Sequence, residues 1–151
     1  MNKVIGIDFG NTIVRNVKGS GLKKPFPDAL RVVRRIAETY PVHIISKVNG
    51  IQKKHVLQWI SDNDFFLKVQ IPEDHLHFCA ERWEKDRICI SLGVTHHIDD
   101  RPEVVAHLNH QIQAYLFRPT PKDVVKYFPI LCVNEVNIVQ SWKEIERIFF
   151  R

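Results

Sequence analysis

Cysteine is scarce in this chain: three in 151 residues. Cys79, Cys89 and Cys132 form no C-x-x-C pair and are odd in number, which excludes a disulfide framework and a zinc ribbon and leaves a reducing compartment as the expectation. Long apolar runs are missing too. The first one stops at Asp8, too short and too early for a secretory segment, and none later approaches the length of a membrane span. A cytoplasmic protein without a membrane partner is therefore expected. There is no internal repeat, no low-complexity tract and no Pro/Ser linker, so repeat arrays and disordered tethers are set aside. Nor is there a large excess of one charge. The net charge of +5 favours anionic partners in general, yet the basic residues are not interleaved with stacking aromatics, so support for a nucleic-acid partner is weak.

What is present is an ordinary globular composition, 44% hydrophobic and 26% charged, over a length that suits a single domain spanning 1–151. Apolar runs and helical periodicities alternate. Strands are expected at Val4–Asp8, Val42–Ile45, Leu76–Cys79, Thr95–Ile98 and Ile112–Phe117. Helices are expected at Asp28–Tyr40, at Ile51–Asp62 with Ile51, His55, Val56, Leu57, Trp59 and Ile60 on its apolar side, and at Trp83–Leu92, closed by Gly93. Two more are expected at Pro102–Asn109 and at Ser141–Phe150, the latter capped by Ser141. Asn16–Lys24, with Gly19-Ser20-Gly21 among three lysines, reads as a flexible segment. Alternation of this kind predicts an α/β fold: a doubly wound, mainly parallel, Rossmann-like sheet with ligands at the carboxyl ends of its strands.

Those strand ends carry chemistry. Val4-Ile5-Gly6-Ile7-Asp8 places a carboxylate where a buried strand runs out, and Ile98-Asp99-Asp100 repeats the pattern downstream. Two such sets suit one divalent cation, since Mg²⁺ prefers hard oxygen ligands. Between them come Ser46, after the second strand, and Lys85, at a helix start, with Arg82 and Lys47 as rival cations. His75-x-His77-x-Cys79 shares one strand face, as zinc ligands would, but has no fourth ligand at fitting spacing. One of His96 and His97 is expected in the core, and His107 and His110 on the surface.

The ordered set Asp8, Ser46, Lys85, Asp99-Asp100 resembles the four motifs of the haloacid dehalogenase superfamily, over nearly the whole chain. The resemblance implies a Mg²⁺-dependent phosphohydrolase or phosphotransferase working through an aspartyl phosphate on Asp8. Ser46 would donate to a phosphoryl oxygen and Lys85 would neutralise charge. Asp8, the Gly10 carbonyl, Asp99 and Asp100 would form the metal set, with Asp100 the more direct ligand and Asp99 holding Lys85 or a metal-bound water. A shorter similarity, of Ile5–Thr12 to the first phosphate loop of actin and sugar-kinase ATPases, conflicts with the length of the chain.

One position departs from the pattern. Phosphatases of that superfamily usually carry a second Asp two residues after the nucleophile as general acid and base, whereas this chain has Gly10. Alkyl phosphates should then react slowly, while acyl and aryl phosphates, whose leaving groups need little protonation, suffer less. The alternative is a catalytically inactive relative that binds a phosphorylated ligand or partner. Neither usual insertion position has room for a cap domain. An uncapped site would admit a phosphorylated small molecule or an exposed phosphate on a macromolecule, and such members also oligomerise to borrow a cap.

Overall fold

The computed structural model describes residues 2–151. Its centre is a six-stranded sheet in which every pair of neighbours is parallel: β1 (Ile5–Ile7), β4 (Val42–Lys47), β5 (Leu76–Cys79), β6 (His96–Asp99), β7 (Gln113–Phe117) and β8 (Asn137–Val139). The spatial order is β5-β4-β1-β6-β7-β8. From β1 the chain winds outward to one edge through β4 and β5, then returns to β6 and winds outward the other way. The strand order therefore reverses between β1 and β6, and a crevice for ligands opens outside the carboxyl ends of those two strands. Parallel strands need crossover helices, and these cover both faces.

On one face α1 (Ala29–Thr39), α3 (Phe65–Val69) and α7 (Trp142–Phe149) pack around Phe9, Phe65 and Trp142. On the other, Cys89 of α4 (Glu84–Leu92), Val105 of α5 (Pro102–Val105) and Leu131 of α6 (Pro121–Val133) pack against Ile45, Ala114 and Leu116. The helix ends are locally encoded. Asn49 and Gln52 form a reciprocal capping box at the start of α2 (Gly50–Asp62), and the Ser141 hydroxyl accepts from the Glu144 N–H at the start of α7.

Several elements differ from the sequence expectation. The Asn16–Lys24 segment lies within an antiparallel hairpin of β2 (Val14–Val17) and β3 (Gly21–Pro25), turned by Gly19 and Gly21 at φ of 78° and 83°. The Trp59 indole N–H donates to the Lys23 carbonyl and ties this hairpin to α2. On α2 only Val56 and Ile60 are buried, with Trp59 half-buried against the same core; Ile51, Leu57 and His55 face solvent. The Pro102–Asn109 helix ends at Val105. Besides the hairpin and a 3₁₀ turn at Glu73–His75, three elements had no counterpart in the sequence expectation: α3, α6 and β8. Pro129 within α6 breaks the helical signal, and β8 is three residues long on an edge with only Val139 buried.

Gly6 is required by close packing. A Cβ built there would lie 2.7 Å from His97 Nδ1 and 3.3 Å from Ile45 Cδ1. Gly6→Ala is expected to destabilise the protein by about 1–3 kcal/mol, the usual cost of overpacking, read as a lower urea midpoint at unchanged slope.

At the β4–β5 edge the strand register brings His43 against His75 and His77. His43 stacks on His75 with ring centroids 4.1 Å apart, and His43 Nδ1 lies 2.9 Å from His77 Nε2. Burial, followed by the neighbouring imidazoles, lowers the His43 pKa to about 4, with Asp74 opposing; His77 is lowered for the same reasons. An unfolded imidazole titrates near 6.5, so below that pH the unfolded chain binds more protons than the folded one. Thermal stability is expected to fall as pH drops from about 6.5 towards 4. Melts across that range should show a shallower decline for His43→Gln.

Candidate active site

The reversal point between β1 and β6 gathers the acidic residues. Asp8 follows β1 directly, and its N–H donates to the Ile98 carbonyl at 2.9 Å, which locks the strand end beside β6. Asp99 ends β6, fully buried, and Asp100 follows it at the edge of the crevice. One carboxylate oxygen from each of Asp8, Asp99 and Asp100 lies within 4.8 Å of the other two. Three anions so close repel, and the surroundings show what holds them.

Lys85 carries most of that load. Its ammonium, buried in the first turn of α4, donates to Asp8 Oδ1 and to Asp99 Oδ2, each at 2.8 Å. Burial opposes the charged form, but the two carboxylates more than offset this and raise its pKa, so Lys85 stays protonated. Of the rival cations, Arg82 pairs instead with Glu103 at 3.4 Å.

Asp99 is committed on both oxygens. Oδ2 also receives His97 Nε2 at 3.0 Å, and Oδ1 accepts the Arg101 N–H at 3.0 Å. Burial would raise its pKa; Lys85 and His97 overcome that and hold it well below the ordinary carboxylate range. Asp100 has no such support. Its carboxyl is pushed up to about 9 by burial and then by the charges of Asp8 and Asp99, while Arg101 Nε, at 3.8 Å, is a distant counter-ion. A carboxyl raised in this way marks a place where positive charge is wanted and side chains do not supply it. An all-oxygen donor set with surplus negative charge fits a hard divalent cation such as Mg²⁺.

Thr12 and His97 complete the network, and the sequence reading gave neither of them a role in it. The Thr12 hydroxyl lies 3.2 Å from Asp8 Oδ2 and 3.3 Å from Asp100 Oδ1, and with one proton it donates to one of them at a time. The Thr12 carbonyl accepts the buried Trp142 indole N–H at 2.9 Å, so α7 clamps the turn that follows Asp8. His97 is the core histidine of the His96–His97 pair. Burial opposes its protonation, but the Cys89 sulfur and Asp99 raise its pKa to about 9. A signal for it was present: residues i and i+2 of a strand share a face, so His97 and Asp99 had to lie side by side.

The remaining expected residues fall as follows. Ser46 is buried near the end of β4; the register pairs Ile7 with Ile44 and so brings it to the same end of the sheet as Asp8. Gly10 lies two residues past Asp8, and a Cβ built there would make only ordinary contacts, with Asn16 Nδ2 at 3.7 Å and Asn16 Cβ at 3.8 Å. Cys79 donates its S–H to the Ser46 carbonyl at 3.8 Å, and among the described residues it forms no metal-ligand group with His43, His75 and His77. Among the described residues, Asp8, Asp99 and Asp100 form the one group that gathers metal-ligand atoms.

Solved structures share this architecture. A protein named as a haloacid dehalogenase-like hydrolase from Burkholderia xenovorans LB400 superposes with a TM-score of 0.70 at 12% identity, over 97% of this chain and 95% of its own. A haloacid dehalogenase-like family hydrolase from Xanthomonas campestris superposes with a TM-score of 0.55 at 9% identity, over 89% of this chain and 96% of its own. No protein-family profile and no curated sequence matches the chain. The fold is that of the haloacid dehalogenase-like hydrolases, an α/β, Rossmann-like arrangement around a parallel sheet.

Proposed function

We propose that the protein is a haloacid dehalogenase-type phosphohydrolase or phosphotransferase acting through a phosphorylated Asp8. One observation carries this reading: Asp8 sits at the sheet's reversal point, held by Lys85 on one oxygen and facing Thr12 and Asp100 with the other. An oxygen of Asp8 attacks phosphorus, the bond from phosphorus to the leaving oxygen breaks, and the leaving group departs with the electron pair. Lys85, kept charged by Asp8 and Asp99, offsets the negative charge between nucleophile and phosphoryl group. The Ser46 hydroxyl donates to a phosphoryl oxygen. Water then cleaves the aspartyl phosphate, returning the Asp8 carboxylate and inorganic phosphate; an acceptor alcohol in place of water gives transfer.

Asp8, Asp100 and the Gly10 carbonyl would hold Mg²⁺, with Asp99 orienting Lys85. When bound, the cation lowers repulsion between the carboxylate and the phosphate dianion. Gly10 leaves the departing oxygen without a proton donor, which favours acyl and aryl phosphates over alkyl ones.

The test is phosphate release from p-nitrophenyl phosphate and from acetyl phosphate, with Mg²⁺ and then with EDTA. Metal-dependent turnover of both supports the reading. A second reading rests on Gly10 itself: a protein that binds a phosphorylated ligand without turning it over. Folded protein that binds Mg²⁺ and inorganic phosphate but releases none from either substrate would select that reading.

A further inference from the structure

A cleft of about 590 Å³ opens beside the acidic cluster, and its wall includes Asn11 and Asp100. That volume is far more than one phosphoryl group needs and is in the range of sites that enclose a small organic molecule. Three parts of the chain meet there: the β2–β3 hairpin, the turn after β7 and the first turns of α6. They contribute Arg15 and Phe26, Arg118, and Lys126 with Tyr127.

The charges are unevenly settled. Glu103 is taken by Arg82, Arg101 leans on Asp100, and Asp123 lies in the first turn of α6, where the positive end of the helix suits a carboxylate. Arg15, Arg118 and Lys126 form no ion pair among the described residues. The guanidinium groups of Arg15 and Arg118 both lie against Phe26, 5.8 Å and 5.5 Å from its ring centroid, and Lys126 lies 5.3 Å from the Tyr127 ring. Both arginines line the same cleft and neither is paired with a carboxylate, so an oxyanion bound there would take forked hydrogen bonds from groups that otherwise have no counter-ion.

We infer that this cleft receives the leaving group of the substrate and selects small molecules that carry a second phosphate there, bound by Arg15 and Arg118. The inference rests on the phosphoryl-transfer reading for its orientation: the reacting phosphate lies at Asp8 and the second one at the arginines. It deepens that reading by naming a substrate class, bisphosphorylated metabolites of roughly nucleotide size. A 5′-phosphorylated polynucleotide end has the same local chemistry, and the test separates the two.

Binding of adenosine 3′,5′-bisphosphate, adenosine 5′-monophosphate and a 5′-phosphorylated oligonucleotide is measured by calorimetry on the wild-type chain with Mg²⁺. The expected result is at least tenfold tighter binding of the bisphosphate than of the monophosphate, and a loss of that preference in Arg15→Gln and in Arg118→Gln. Both side chains are exposed, and either single variant with an unchanged melting profile suffices. No preference in the wild type, or a preference that survives either substitution in a variant with an unchanged melting profile, would overturn the inference. An oligonucleotide that binds tenfold tighter than the bisphosphate would overturn its small-molecule form. Turnover of p-nitrophenyl phosphate by the same wild-type preparation decides the underlying reading separately. Turnover without a bisphosphate preference defeats only the cleft assignment, and an arginine-dependent preference without turnover defeats only the chemistry.

Discussion

Asp8→Asn is expected to lower Mg²⁺-dependent phosphate release from p-nitrophenyl phosphate by at least about 10³-fold, because the amide cannot form the covalent phosphoryl intermediate. The fold should barely register the change. The substituted amide still offers an oxygen to the Lys85 ammonium, and Lys85 keeps its 2.8 Å bond to Asp99. One of the two charges that raise the Asp100 carboxyl disappears as well, which removes repulsion from a buried place. Melting temperature should therefore stay within a few degrees of wild type while turnover collapses. A variant that retains activity removes Asp8 from the mechanism.

Gly10→Asp is expected to act in the opposite direction. A proton donor two residues after the nucleophile is what the chain lacks for poor leaving groups, and general acid catalysis is worth roughly 10²–10⁴-fold. The backbone permits the change: Gly10 is outside the left-handed region, and the nearest atoms to a new Cβ are 3.7 Å and 3.8 Å away, ordinary contact distances. Hydrolysis of alkyl phosphates should rise by about 10²-fold, with little change for acetyl phosphate, whose leaving group needs no proton. An absence of gain in a variant that folds and binds Mg²⁺ would show that the site is missing more than its acid.

The sequence made the sheet and its carboxyl-end residues legible because buried parallel strands are short apolar runs and a charge at the end of one stands out. Asp8 and Asp99-Asp100 stood out in that way, whereas Ser46 and Lys85 were singled out only by their place in the ordered set of motifs. The binding cleft was not, for a physical reason. Arg15, Phe26, Arg118 and Lys126 are scattered along the chain, on elements of weak periodicity: a bulged hairpin, a turn with a left-handed residue and a helix containing Pro129. Only the pairing of β6 with β7 and the return of the hairpin bring them together. The His43 contact with His77 had the same obscurity, since it arises from lateral register between β4 and β5.

The bond from the Trp142 indole to the Thr12 carbonyl spans 130 residues and has a consequence for the newly synthesised chain. Asp8 and the strands that end in Lys47 and Asp99 are all translated before α7, yet the turn beyond Asp8 is clamped from behind only once Trp142 has left the ribosome and docked. Until then the nascent protein has its acidic residues without the anchor that fixes the Thr12 hydroxyl between Asp8 and Asp100. The placing of the Thr12 hydroxyl between Asp8 and Asp100 thus waits on a contact from far along the chain, and any loosening of α7 reaches the turn beyond Asp8 directly.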